Sequence, residues 1–263
     1  MFFLPGEFRL DGGWSRGLNP EEQIRYSRQL KVPEFGEGGQ KKLKASHVLI
    51  AGIGGLGCVS ATTLTAAGVG RITLVDFDVV ELSNLNRQVL YGAEDLGERK
   101  VDVARRRLSL LNSGVDLISI FARISEENVF SLIDGVQVVL DGLDNFQTRL
   151  LVNSACVRQK IPYIHGGVAR FRGLITTILP GITPCLACLY PEGIPGGEGL
   201  EVLGVVPGVI ANLQALEAIK IMIGQGPSLA GKLLRFNGND MKFRMEEIRR
   251  NEGCSVCSRG SVN

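Results

Sequence analysis

The sequence predicts an α/β fold: a Rossmann-like parallel sheet with helices on both faces, extended by mixed or antiparallel strands. Three observations carry this. Short apolar runs alternate with segments of helical period from His47 to about Arg158, the pattern of βαβ units around a parallel sheet. A glycine-rich loop directly follows the first apolar run, as in nucleotide-binding α/β folds. Beyond about residue 160 the alternation gives way to four short strands around one long apolar segment.

Taken in order, residues 1–18 show no period and contain Gly6, Gly12, Gly13 and Gly17, so a loose N-terminal arm is expected. Asn19-Pro20-Glu21-Glu22 reads as a helix start, with Asn as cap, Pro at the first helical position and acids in the first turn. That helix is expected to reach Leu30, and a second to span 39–45. His47–Ala51 is the first strand, the helix after its glycine loop runs to Ala67, and the next strand covers 71–75. Further strands are expected at 117–121 and 136–140, with helices at 98–111 and 146–158. Strands at 161–165, 173–179, 232–236 and 242–247 and a helix at 208–223 complete the chain. Residues 191–199 hold Gly193, Pro195, Gly196, Gly197 and Gly199, so a crossover loop is expected there.

The bulk composition narrows the function classes. Of 263 residues, 44% are hydrophobic and 21% charged, the balance of an ordinary globular core. A net charge of +2 argues against nucleic acid or an anionic membrane as partner. No apolar run approaches the ~18 residues that a membrane helix requires. The start lacks a basic region before its apolar residues, so no signal peptide is expected. A cytoplasmic protein is the resulting expectation, and in that compartment six cysteines point to metal or reactive thiols rather than disulfides.

Gly52, Gly54 and Gly57 fit G-x-G-x-x-G, with Gly55 inside the same loop. Unpaired amides at the following helix N-terminus favour phosphate. Asp76 ends the next strand, where an acid can accept from ribose hydroxyls. This loop alone leaves NAD and ATP open, and by itself favours a dehydrogenase. The chain then continues through Asp78, Asn84, Arg87 and Gln88, with Lys100 at a helix start and Asp144-Asn145 after the 136–140 strand. Two cations, two or three acids and an Asn at the carboxyl edge of a sheet suit a triphosphate with magnesium.

Cys185-Leu186-Ala187-Cys188 and Cys254-Ser255-Val256-Cys257 are two C-x-x-C pairs. Together they can supply four thiolates to one structural zinc ion; a redox pair or disulfides are the rival readings. Cys58 and Cys156 read as buried packing residues, although a helix N-terminus could lower the Cys58 pKa.

These features, with Arg25-Tyr26-Ser27-Arg28-Gln29, resemble the ThiF/MoeB/HesA family, relatives of the ubiquitin-activating enzymes, in order and spacing over about residues 20–257. The resemblance implies an ATP-dependent adenylyltransferase that activates the C-terminal glycine carboxylate of a small ubiquitin-like sulfur-carrier protein ending in Gly-Gly. The pathway would be of molybdopterin or thiamin type. It implies that Asp76 binds ribose, that Asn84, Arg87 and Lys100 hold the triphosphate, and that Asp144 holds magnesium. It favours zinc at the four paired cysteines. It also implies that Arg28 reaches the neighbouring subunit's site, making a homodimer the functional unit. Residues 19–263 would form one domain, with a nucleotide-binding part at about 46–160 and a partner-binding and zinc part at about 161–257.

One departure stands out. Many family members carry a cysteine in the crossover loop, at a position that falls near Gly197, but no cysteine lies between Cys188 and Cys254. The enzyme is therefore expected to stop at the acyl-adenylate. With no sulfurtransferase segment after Cys257, the sulfur donor is expected to be a separate protein. A nicotinamide-dependent oxidoreductase would explain the glycine loop and Asp76 but leave Arg87, Lys100 and Asp144 without work. A non-catalytic scaffold would not need every charged residue of the set.

Overall fold

The computed structural model describes residues 17–191 and 201–258. The expected N-terminal arm, apart from Gly17 and Leu18, and the expected crossover loop, apart from Pro191, lie outside the described residues.

Helix α1 (Pro20–Arg25) begins as its sequence dictates. The Asn19 side chain accepts from the Glu22 N–H at 2.9 Å, and the Glu22 carboxylate accepts from the Asn19 N–H at 2.8 Å. It stops well short of Leu30. The chain leaves the helix to bury Tyr26, whose hydroxyl accepts from the Asn112 amide at 2.9 Å. Gln29 then donates to the Ala67 carbonyl at 2.9 Å. Helix α2 (Gly36–Lys44) follows.

Strand β1 (His47–Ala51), helix α3 (Gly55–Ala67) and strand β2 (Arg71–Asp76) make the first βαβ unit; helix α4 (Lys100–Leu111) and strand β3 (Asp116–Phe121) extend it. After the short helix α5 (Val129–Leu132) come strand β4 (Val138–Asp141), helix α6 (Phe146–Gln159) and the hairpin of β5 (Tyr163–Ala169) with β6 (Arg172–Ile178). The single turn α7 (Leu186–Leu189), the long helix α8 (Val205–Ile223) and the strands β7 (Lys232–Asn237) and β8 (Lys242–Glu247) complete the chain.

The eight strands form one sheet in the order β3-β2-β1-β4-β5-β6-β7-β8. Pairing is parallel from β3 to β5 and antiparallel from β5 to β8, the mixed sheet the sequence implies. The strand order reverses at β1, which lies between β2 and β4. A crevice opens at such a reversal, beyond the strands' carboxyl ends.

Alternation along β1 feeds two cores. Val48 and Ile50 face one side with Leu64, Leu74 and Ile210, whereas Leu49 and Ala51 face the other with Ile133, Val139 and Tyr163. Each fully buried Leu or Ile contributes about 1.5–3 kcal/mol relative to exposure, and that cost of slippage fixes the register that aims the strand ends.

The expectation that no apolar run reaches membrane length needs correction. Helix α8 has 19 residues with a mean hydropathy of 1.4, long and apolar enough by length and composition to cross a bilayer. Asn212, Gln214 and Glu217 interrupt its sequence and disguise its length. In the fold it lies against α3 and the sheet, and Gln214 and Glu217 are buried with hydrogen-bonding partners there. Its apolar character is that of a core helix.

Candidate active site

The carboxyl ends of β1, β2, β3 and β4 surround a cavity of about 790 Å³. Its floor exists because backbones meet there. Gly52 has φ +88, and a Cβ on it would lie 2.7 Å from the Gly142 carbonyl oxygen. A Cβ at Gly142 would collide in turn with the Gly52 carbonyl. Only glycine at both positions lets the β1 and β4 ends close side by side. Gly54, Gly55 and Leu56 line the cavity where α3 begins, and the first N–H groups of a helix have no intrahelical acceptor.

Asp76, at the end of β2, accepts from the Ile53 N–H at 2.7 Å and the Asp78 N–H at 2.8 Å. Burial raises its carboxyl above the ordinary value, against the pull of those N–H groups and Lys100. The buried Lys100 pairs with Asp78, Nζ to Oδ2 at 2.9 Å. Arg87 donates through Nη1 to the Ser83 carbonyl at 2.8 Å and the Asn86 amide oxygen at 3.0 Å. Gln88 also lines the cavity; it is buried, and its Oε1 has no partner among the described residues. Asp144 is exposed, lines the cavity beyond the end of β4, and makes no ion pair among the described residues. Asn145 caps α6, accepting from the Thr148 N–H at 2.9 Å.

Three of the residues singled out from the sequence lie off the cavity wall. Asn84 is buried beneath it, its side-chain oxygen accepting from the Glu81 N–H at 3.1 Å; its neighbour Asn86 lines the wall instead. Gly57 faces the Gly52 carbonyl. Arg28 is exposed just beyond α1 and does not line the cavity of its own chain.

Other wall residues were not anticipated. Arg123, two residues past β3, stacks on Phe77 with its guanidinium carbon 3.8 Å from the ring centroid. Arg149, on α6, directs Nε to both Asp141 carboxylate oxygens at 3.2–3.3 Å. Its Nη2 donates to the Leu143 and Gly166 carbonyls. Asp141 also accepts from His165 Nδ1 at 2.6 Å. Burial alone would raise the Asp141 carboxyl; the Arg149 charge and the His165 hydrogen bond outweigh it and hold it below its ordinary value. Burial lowers His165 against the pull of Asp141, whose charge Arg149 already balances. The signal for this cluster was present as an acid eight positions before an arginine, Asp141 to Arg149, with one of only two histidines on the next strand.

The paired cysteines meet beside α6, in the core that also holds Leu49 and Tyr163. Cys185 precedes α7, and Cys254 and Cys257 belong to the C-terminal turns. Sγ separations are 3.6 Å for Cys185–Cys254, 3.4 Å for Cys188–Cys257 and 4.0 Å for Cys185–Cys188, and all four sulfurs lie within 4.8 Å of one another. A tetrahedral ion with Zn–S bonds of about 2.3 Å requires sulfurs about 3.8 Å apart, so the donor set fits one. Cys58 and Cys156 are fully buried. Burial pushes the Cys58 thiol up to about 12, overriding any helix effect, and raises Cys156 as well.

Comparison with known proteins adds to this geometry. The ThiF family model matches residues 26–256. The chain is 40% identical to the SAMP-activating enzyme E1 of Haloferax volcanii, over 94% of this chain and 93% of that protein. It is 42% identical to the adenylyltransferase and sulfurtransferase MOCS3 of Aedes aegypti, over 92% of this chain, but spans only 56% of that longer protein. The crystal structure of E. coli MccB with ATP superposes with a TM-score of 0.80 at 28% identity, over 89% of this chain and 75% of that one.

Proposed function

The chain belongs to the ThiF family, and we propose that it uses ATP to adenylate the C-terminal carboxylate of a small ubiquitin-like sulfur-carrier protein. It is an adenylyltransferase. What supports this reading above all is Asp144, an exposed acid with no ion pair among the described residues, lining the same cavity as the glycine loop, Arg87 and Lys100. The relatives named as a SAMP-activating enzyme and an adenylyltransferase, and a neighbour solved with ATP, agree with it.

The polar residues singled out at the site then divide the work. Asp76 holds the ribose. The amides of Gly55 and Leu56, the Gln88 side chain, Arg87 and Lys100 hold the phosphates, and Asp78 aims Lys100 through its ion pair. Asn84 supports the turn that presents Asn86 and Arg87. Asp144 is the ligand for magnesium, which when bound would neutralise phosphate charge. A carboxylate oxygen of the carrier attacks the α-phosphorus. The bond from that phosphorus to the bridging oxygen breaks, and pyrophosphate leaves with the electron pair. Orientation and charge stabilisation supply most of the acceleration in such a transfer.

We further assign one structural zinc ion to Cys185, Cys188, Cys254 and Cys257, an external protein as sulfur donor, and a homodimer in which Arg28 serves the partner's site. We place this chemistry in the cytoplasm, with unbridged cysteines. We also assign nucleotide binding to about 46–160, and the carrier and zinc to about 161–257.

ATP–pyrophosphate exchange in the presence of carrier tests the reading. Wild-type protein is expected to exchange label, and Asp144→Ala to lose on the order of 100-fold or more while keeping its melting temperature. Micromolar binding of NAD with no response to ATP would sink it.

A further inference from the structure

Arg149 is held by all but one of its nitrogens. Nε faces the Asp141 carboxylate at 3.2–3.3 Å, and Nη2 donates to the Leu143 and Gly166 carbonyls. Nη1 has no hydrogen-bond partner among the described residues, and the residue lines the cavity. A guanidinium clamped at two corners presents its third with little freedom to lose.

Its location matters as much as its rigidity. The sheet order sets Phe77 and Arg123 over β2 and β3 at one end of the cavity, and the glycine loop over β1 in the middle. Leu143, Thr148, Arg149, Val168 and Val202 wall the β4–β5 end. A nucleotide with ribose at Asp76 and phosphates at the glycine loop leaves that end for the second reactant. One feature there suits a chain terminus: Val168 and Val202 offer apolar flanks beside Arg149.

We propose that Arg149 Nη1 binds the terminal carboxylate of the carrier's tail and aims it at the α-phosphorus, an inference that rests on the adenylation reading above. The pairing with Asp141 explains how it can do so without blunting the nucleophile. The Arg149–Asp141 pair is neutral overall, so the incoming carboxylate meets a directed donor rather than a full positive charge. A lone cation would bind it more tightly but withdraw its attacking electrons.

The test uses the carrier that supports exchange with wild-type enzyme, prepared as the free acid and as the C-terminal amide. Exchange by the wild type establishes adenylation independently of Arg149. Affinities are then measured with a non-hydrolysable ATP analogue present. Wild-type protein is expected to bind the acid about tenfold or more tighter than the amide, as a charge-assisted hydrogen bond implies. Arg149→Lys, which keeps a cation near Asp141 but lacks the fork, is expected to lose that preference and raise the carrier KM by a similar factor, with the ATP KM within about twofold. If Arg149→Lys does not fold, Asp141→Asn with Arg149→Gln removes both buried charges together and is expected to lose the same preference. Retention of the acid-over-amide preference in a folded variant would overturn the proposal. So would a rise in the ATP KM with the carrier KM unchanged, since Arg149 would then serve the nucleotide.

Discussion

His165 illustrates how one buried side chain couples the site to acidity. In the fold its ring is held neutral by burial, whereas in the unfolded chain it takes a proton near pH 6.5. A depressed histidine contributes stability that is present above that value and declines as pH falls below it. Asp141, also depressed, adds a loss in the same direction at lower pH. Stability is therefore expected to fall from about pH 6.5 towards pH 5, each group contributing at most about 1.4 kcal/mol per pH unit. In His165→Asn an amide can donate in place of Nδ1, and thermal melts across that window are expected to flatten. Some slope remains, because burial also lowers His47. Equal slopes for variant and wild type would remove His165 from the account. At this scale the sequence was most informative where residues stand in a fixed local order: the glycine loop, Asp76, Arg87, Lys100 and Asp144 all reach one cavity. It was silent where two distant segments meet. Arg123 on Phe77 is a pairing of the tertiary fold with no period or spacing to announce it, and for His165 on Asp141 the local spacing of Asp141 and Arg149 was a signal but the contact itself was not. Asn84 shows a subtler limit, since the direction of a side chain in a tight turn does not follow from its position two residues before a wall residue.

Most strands and long helices agree with their sequence patterns to within a few residues, because period 2 and period 3.6 are written directly into apolar spacing. The exceptions have local causes. β5 runs past the expected end at 165 to Ala169, through Gly166 and Gly167, which pair with Ile175 and Leu174 in the hairpin. The single turns α5 and α7 are too short to show a period. Helix α7 nonetheless has a consequence for stability. Its first turn separates Cys185 from Cys188, and the C-terminal turns bring Cys254 and Cys257 against them, where Arg250 also donates to the Gly181 and Cys257 carbonyls. Metal analysis is expected to return about one zinc per chain. Cys254→Ser is expected to lose it and to lower the melting temperature by about 5 °C or more. Wild-type protein free of zinc and equally stable would refute the assignment.

At the scale of the whole molecule, strand order was the part least open to sequence reading. Alternation predicts a parallel sheet but not that β1 lies between β2 and β4, and that reversal is what opens the crevice. Assembly is likewise unreadable from one chain except through a residue with no work at home. Arg28 is exposed and off its own cavity. If it acts across a dimer, Arg28→Ala and Asp144→Ala proteins, each inactive, are expected to recover about a quarter of wild-type activity once subunits exchange, since half the dimers are mixed and each has one intact site. No recovery after proven exchange would confine Arg28 to its own subunit or remove it from catalysis. The central position of β1 also bears on how the chain comes to be folded at all. Its partner on one side is made soon after it, but its partner on the other, starting at Val138, emerges only after α3, β2, α4 and β3 have been synthesised. Until then one long edge of the most apolar strand stands open beside the growing chain. An edge of that kind invites pairing with a stranger, so the period of synthesis between Val75 and Val138 is when a nascent chain of this design has most need of a chaperone.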